Sequence, residues 1–137
     1  MIVSVAGTVR PVRTGNSEFT AAGGAGLRAF ANIAERWSLT VAEQLKLLGI
    51  PSRSTFFKWR REREPRLQQD TLERLSYLLG IFKALGVLYS ERLADEWVQR
   101  PNTNPLFGGV TPLEYMVRGG LPAMQAVRRL LDARRAG

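Results

Sequence analysis

The 137-residue chain has no cysteine and no histidine. Without thiols there is neither a disulfide framework nor a thiolate metal site. Losing imidazole as well removes the usual zinc ligands and every histidine acid or base. Carboxylate, lysine and tyrosine chemistry stays open. Glu43, Asp95, Glu96 and Glu114, however, fall at helix caps or on solvent faces, with no base paired to a nucleophile. The expectation is a binding protein with no catalytic residue, no metal and no cofactor. Acidic residues are also scarce: 12 Asp and Glu stand against 20 Lys and Arg, a formal charge of +8. That balance favours a polyanionic partner, nucleic acid ahead of an anionic membrane, while its plain alternative is simple solubility. No apolar run approaches the roughly eighteen residues of a membrane span, so no membrane association is expected. The opening MIVSVAGTVRPVR places its arginines behind a short apolar stretch, the reverse of a secretory signal, and the expected location is the cytoplasm.

What is present concentrates in Thr40 to Arg66. Arg53, Lys58, Arg60, Arg61, Arg63 and Arg66 fall between positions 53 and 66, where only Glu62 and Glu64 oppose them, a local excess equal to half of the net +8. Thr40-Val41-Ala42-Glu43 has the form of a capping box, in which the threonine hydroxyl accepts from the third amide and the glutamate reaches back to the cap amide. Val41, Leu45 and Leu48 form the expected inward face of the helix that follows. Gly49 stands where a left-handed helix terminus is needed. Pro51 fits the turn, and Ser52 can cap a second helix from about Arg53 to Glu62. Phe56 and Trp59 are its expected core anchors, leaving Arg53, Ser54, Thr55, Lys58 and Arg61 outward. The pattern is that of a helix-turn-helix whose second helix enters a DNA major groove. Arg53 is suited to a guanine edge, Ser54 and Thr55 to close approach, and Lys58 and Arg61 to phosphates. An ordinary helical hairpin with a solvated basic face is the plainer account of the same residues.

On either side the chain reads as helical. Residues 1–24 carry Pro11 and four glycines and are expected to form a flexible extension, with a short extended piece at Ile2 to Val5 and with Arg10 and Arg13 able to touch phosphate. Leu27, Phe30, Ile33, Ala34 and Trp37 mark a first amphipathic helix. Gln68 to Tyr89 is apolar nearly all round, so burial on two sides is expected, one against the helix-turn-helix and the other against the C-terminal part or a second copy of the chain. Ser90 is expected to cap a helix to Gln99 with Leu93 and Trp97 inward. The turn-rich segment 101–109 then carries two large apolar residues, Leu106 and Phe107, which a solvated linker rarely does unless they plug something. Thr111-Pro112-Leu113-Glu114 is a second capping box with proline at the first helical position. Gly119-Gly120 ends that short helix, and Pro122 opens a last one. Its Arg128, Arg129, Arg134 and Arg135 suit either the helix dipole or an acidic or phosphate-bearing partner. The fold class is all-α, divided as 1–24 extension, 25–66 helix-turn-helix and 67–137 dimerisation helix with C-terminal domain.

The run Trp97, Pro101-Asn102, Leu106, Gly108-Gly109, Pro112-Leu113, Gly119-Gly120, Val127, Leu130-Leu131 resembles the C-terminal toxin-binding domain of Xre/MbcA/ParS-type antitoxins. Ser54-Thr55-Phe56-Phe57-Lys58-Trp59 within a helix-turn-helix is similar to their Xre-like part. The two together span Leu27 to Ala136. The resemblance implies an antitoxin of a type II toxin–antitoxin pair that neutralises its cognate toxin, most often an NAD-degrading RES-domain protein or else a related toxin acting on NAD or through ADP-ribose transfer, and binds double-stranded operator DNA to repress its own operon. It implies a homodimer, and toxin contacts at Asn102, Leu106, Phe107, Gly108, Gly109, Arg128, Arg134 and Arg135. The alternative is a stand-alone repressor whose C-terminal part only dimerises.

Overall fold

The helical periods become six α-helices in a computed structural model that describes residues 16–137: α1 (Asn16–Arg36), α2 (Val41–Leu48), α3 (Arg53–Arg61), α4 (Gln69–Leu88), α5 (Glu91–Glu96) and α6 (Pro112–Ala136). Short 3₁₀ turns at Trp97–Gln99 and Pro105–Phe107 punctuate the passage from α5 to α6. Among the described residues there is no strand, so the all-α expectation holds. The expected extended piece at Ile2 to Val5, and Arg10 and Arg13, lie outside the described residues.

α1 starts at Asn16, well before the Leu27 at which its apolar stripe begins. Gly23 and Gly24, which punctuate the sequence like a linker, are instead buried positions in this helix. A Cβ on Gly24 would stand 2.6 Å from the Arg63 carbonyl oxygen, and one on Gly23 would stand 2.9 Å from the Leu67 side chain. The connection from α3 to α4 crosses α1 at this point, and only glycine lets the backbones come so close.

α2 forms its capping box: Thr40 Oγ1 accepts from the Glu43 amide at 3.1 Å, and the Glu43 carboxylate accepts from the Thr40 amide at 2.9 Å. It closes on Gly49 at φ 69°, a left-handed conformation that a Cβ would penalise. Its inward face differs from the expected one. Gln44, Leu47 and Leu48 are buried, whereas Val41 and Leu45 are half-buried, because α4 and α6 both pack on this short helix and turn the buried stripe. The Gln44 amide is satisfied there by the Leu39 carbonyl at 3.3 Å.

α4 is the central strut, with α1 and α6 packed along it. Leu75, Leu78, Ile81, Ala84 and Leu85 are buried, and Tyr77, Leu79, Phe82 and Leu88 are half-buried on the flanks. After it, α5 tightens into the 3₁₀ turn, so Ala94, Trp97 and Val98 make the inward set and Leu93, expected inside, is left 38% exposed. Ser90 occupies the cap position without a side-chain hydrogen bond. α6 runs on past the expected break but bends there: Gly120, at φ 66° and ψ −146°, is not helical, so the two-helix reading survives as one bent element. Thr111 Oγ1 caps it through the Glu114 amide at 3.1 Å. The Glu114 carboxylate turns to Arg118 and leaves the second box half-made. Trp37, Phe30, Phe56, Phe107, Leu78 and Met124 belong to one continuous core. Each such side chain stabilises the fold by about 1.5–3 kcal/mol on burial, so the N- and C-terminal halves stand or fall together.

Candidate functional site

Two surfaces collect the candidate residues. The first is α3. Ser52 Oγ accepts from the Thr55 amide at 3.2 Å, fixing the first turn, while Phe56, 1% exposed, pins the helix to the core. Arg53, Ser54, Lys58 and Arg61 are all exposed, as expected. Thr55 is half-buried, because its hydroxyl accepts from Ser52 Oγ at 3.0 Å and belongs to the cap. Trp59 is half-buried rather than a full core anchor. Two guanidiniums lie over aromatic rings, Arg53 over Phe57 at 5.9 Å and Arg60 over Phe56 at 5.5 Å. Such stacking orients a flat cation at little desolvation cost. Phe57 is therefore a contributor that the choice of Phe56 and Trp59 as core anchors passed over; the adjacent Phe56-Phe57 pair was its only signal. Lys58 sits 4.0 Å from Glu62, a pair too long and too exposed to bind its charge. The face remains strongly cationic.

The turn before α3 is held from below. Thr71 Oγ1 donates to the Leu48 carbonyl at 3.0 Å, and Arg74 Nη1 donates to the Lys46 and Leu47 carbonyls at 3.2 and 3.3 Å. These bonds satisfy the carbonyls that end α2 and orient the turn through α4. Neither Thr71 nor Arg74 stood out in the sequence, since each reads there as an ordinary position on a long helix.

The second surface lies in the C-terminal half, and here the expected residues divide. Asn102 Oδ1 accepts from the Asn104 amide and Asn104 Oδ1 from the Leu106 amide, both at 2.9 Å. These side-chain turns lead into the Pro105–Phe107 turn, which ends on Gly108 at φ 60° and Gly109 at φ 92°. Phe107, expected at the contact surface, is instead 2% exposed and packed edge-on between Trp97 and Tyr115, with ring centroids 5.8 and 5.4 Å away. It plugs the chain's own core, and so holds the loop in place. Leu106 is half-buried, while Gly108 and Gly109 are exposed with open space around them. Leu106, Gly108, Val110, Tyr115, Arg118 and Gly119 line an open cleft of about 390 Å³.

The arginines of α6 divide likewise. Arg128 Nε donates to both oxygens of Asp132, at 3.2 and 3.1 Å, and its guanidinium lies against Gly80 of α4, where a Cβ would stand only 1.7 Å from Nη1. Arg134 Nη1 donates to the Tyr89 hydroxyl at 2.9 Å. Arg128 is thus paired and braces α6 on α4, whereas Arg134 stays exposed and is tied only to a neutral hydroxyl just beyond α4. Arg135 and Arg129 are exposed. Across the molecule, Arg36 joins α1 to α5, with Nε 2.8 Å from Asp95 and Nη2 3.1 Å from Glu91. The hydrogen bond to Asp95 is the main cause that raises this guanidinium above its ordinary value; desolvation opposes it, and the charges of Asp95 and Glu91 assist.

No cluster of His, Cys, Asp or Glu among the described residues could hold a metal ion, and no described helix is long and apolar enough to cross a membrane. Comparison with protein families matches residues 20–80 to the antitoxin Xre-like helix-turn-helix domain and residues 85–137 to the antitoxin Xre/MbcA/ParS C-terminal toxin-binding domain. The chain is also similar to uncharacterized protein y4oB of Sinorhizobium fredii, 47% identical over 112 residues that cover 81% of this chain and 84% of that one. The junction between the two family matches falls within α4, which braces the turn before α3 and packs along α6.

Proposed function

Because this chain belongs to the Xre/MbcA/ParS-type antitoxins, we propose that it neutralises a cognate toxin by stoichiometric binding and represses its own operon by binding operator DNA. The observation that carries the reading is the pairing of a cationic, firmly capped α3 with a toxin-binding domain on one helical body. Arg53 and Ser54 read base edges, while Lys58 and Arg61 grip phosphates; Thr55 contributes through the cap that aims them. On the other surface, Leu106, Gly108 and Gly109 meet the toxin together with the exposed Arg135, while Asn102, Phe107, Arg128 and Arg134 shape the loop and helix that present them. The toxin is an NAD-degrading RES-domain protein, the antitoxin works as a homodimer in the cytoplasm, and no catalysis by this chain is involved.

The test is to purify the chain from cells that also express the product of the adjacent gene. The expected result is a stable complex and preserved cellular NAD; a chain that purifies alone overturns the antitoxin half and leaves a stand-alone repressor. Binding to the DNA upstream of the operon tests the other half. Affinity is expected to fall with salt, with log K dropping by about 0.9 per decade of salt for each phosphate neutralised. Binding that ignores salt and sequence overturns it.

A further inference from the structure

Arg74 touches more of the molecule than a helix surface residue should. Its Nε is held by Asp70 at 2.9 Å, and its Nη1 bonds the last carbonyls of α2. One of those carbonyls, that of Lys46, also accepts the Gly49 amide at 3.4 Å, so the guanidinium shares an acceptor with the turn itself. A Cβ on Gly49 would stand 2.9 Å from Asp70 Oδ2 and 3.0 Å from Arg74 Nε, so the left-handed turn is pressed directly on the ion pair. The remaining nitrogen, Nη2, faces Gly120: a Cβ there would lie 3.4 Å away. Gly120 is the one non-helical residue inside α6. The Arg74 side chain is only 18% exposed, so this geometry is packed rather than floating in solvent.

We propose that Arg74 is a positioning residue that couples the Gly120 bend of α6 to the turn of the helix-turn-helix. A planar guanidinium turns as one body, so a displacement at Nη2, on the side of Gly120, also turns the Nη1 and Nε that hold α2 and Asp70. Movement of the arm of α6 beyond Gly120 shifts Nη2, the shift turns Nη1 off the Lys46 and Leu47 carbonyls, and α3 loses part of the support that aims it. The consequence rests on the two-surface reading above: occupancy of the C-terminal half changes the DNA affinity of α3, and by thermodynamic necessity DNA changes the affinity for the protein partner by the same factor.

Amide hydrogen exchange of the full chain tests the coupling itself with neither DNA nor toxin present, so its failure is distinct from failure of either binding assignment. Gly120→Ala disturbs the bend, because alanine is strained at positive φ, and it touches neither α2 nor α3. It is expected to speed exchange at the Gly49 and Ile50 amides by about tenfold, in proportion to the loss of hydrogen bonds to a charged group. In an Arg74→Met background, where those amides already exchange faster, it is expected to add nothing there. Amides of α1 serve as the reference, since general loss of stability would move them too. The proposal is overturned if Gly120→Ala speeds exchange only in 119–124, or speeds the turn by the same factor with and without Arg74. Should Gly120→Ala fail to fold, Arg74→Met alone decides: faster exchange both at Gly49 and Ile50 and in 119–124 supports the coupling, and a change confined to the turn overturns it.

Discussion

α3 and the 101–109 loop were marked by the same kind of signal, a few conspicuous residues on a short segment, and the fold uses them in opposite ways. On α3 the conspicuous residues are cations, and four of the five expected contacts stay exposed. In the loop the conspicuous residues are Leu106, Phe107 and two asparagines, and all but the half-buried Leu106 are spent on architecture: Phe107 in the core, Asn102 and Asn104 on local amides. The difference follows from solvation. A guanidinium or ammonium has a large cost of burial and stays at the surface unless it is paired. A phenyl ring gains by burial, and an asparagine can satisfy its own backbone. Conspicuous charge therefore points outward, whereas a conspicuous aromatic in a loop points to what holds the loop.

The sharpest way to break this contrast is Phe107→Ala. If the ring is a core plug, its loss should cost about 3–5 kcal/mol of stability, read by thermal or denaturant unfolding of the chain alone. A variant as stable as the parent, defective only in partner binding, would return Phe107 to the contact surface. Arg53→Ala is the counterpart on α3 and should show the inverse pattern. Operator affinity falls by about 1–3 kcal/mol with relaxed specificity at one base position, while unfolding stays within about 0.5 kcal/mol of the parent. Lys58→Ala should weaken every DNA sequence alike and lower the salt slope by about one unit. Equal binding by all three proteins in a fluorescence titration would move the DNA surface elsewhere. Between these extremes stands Ser52→Ala, which removes the cap of α3 without touching a cation. A loss of about 1 kcal/mol in stability is expected, with a smaller fall in DNA affinity as the first turn frays.

The same physics explains how much was legible beforehand. Local rules were readable: the Thr40–Glu43 box, the positive φ of Gly49, the Ser52 cap and an interruption at Gly119-Gly120 each depend on the chemistry of one or two nearby residues. Faces set by several neighbours were not. The stripe of α2 rotated because α4 and α6 both pack on it, and Leu93 slipped outward once the chain tightened into the Trp97–Gln99 turn. Close approaches were also hidden. Gly23 and Gly24 look like linker residues until Arg63 and Leu67 are seen against them, and nothing in the neighbourhood of Arg74 announces a contact with Lys46, 28 positions away. The arginines of α6 read as one cationic group, yet partners on two different elements, Asp132 on α6 and Tyr89 after α4, separate Arg128 and Arg134 from Arg135.

Gly80→Ala gives the smallest expected effect and the finest test of that separation. Alanine in a helix interior gains up to about 1 kcal/mol over glycine. Against this, a methyl at position 80 would occupy the place of the Arg128 guanidinium. The obstacle is the end of a flexible side chain, so Arg128 swings out to solvent and its brace on α4 is lost. The two terms nearly cancel, and the unfolding midpoint should stay close to that of the parent. The variant thereby frees one cation from α4 at almost constant stability. If Arg128 only braces α6, partner affinity stays level or falls slightly as the helix loosens. A clear rise in affinity, read by calorimetry against the copurified partner, would show that the brace withholds a binding cation, and the contrast between the two surfaces would then be one of accessibility rather than of residue type.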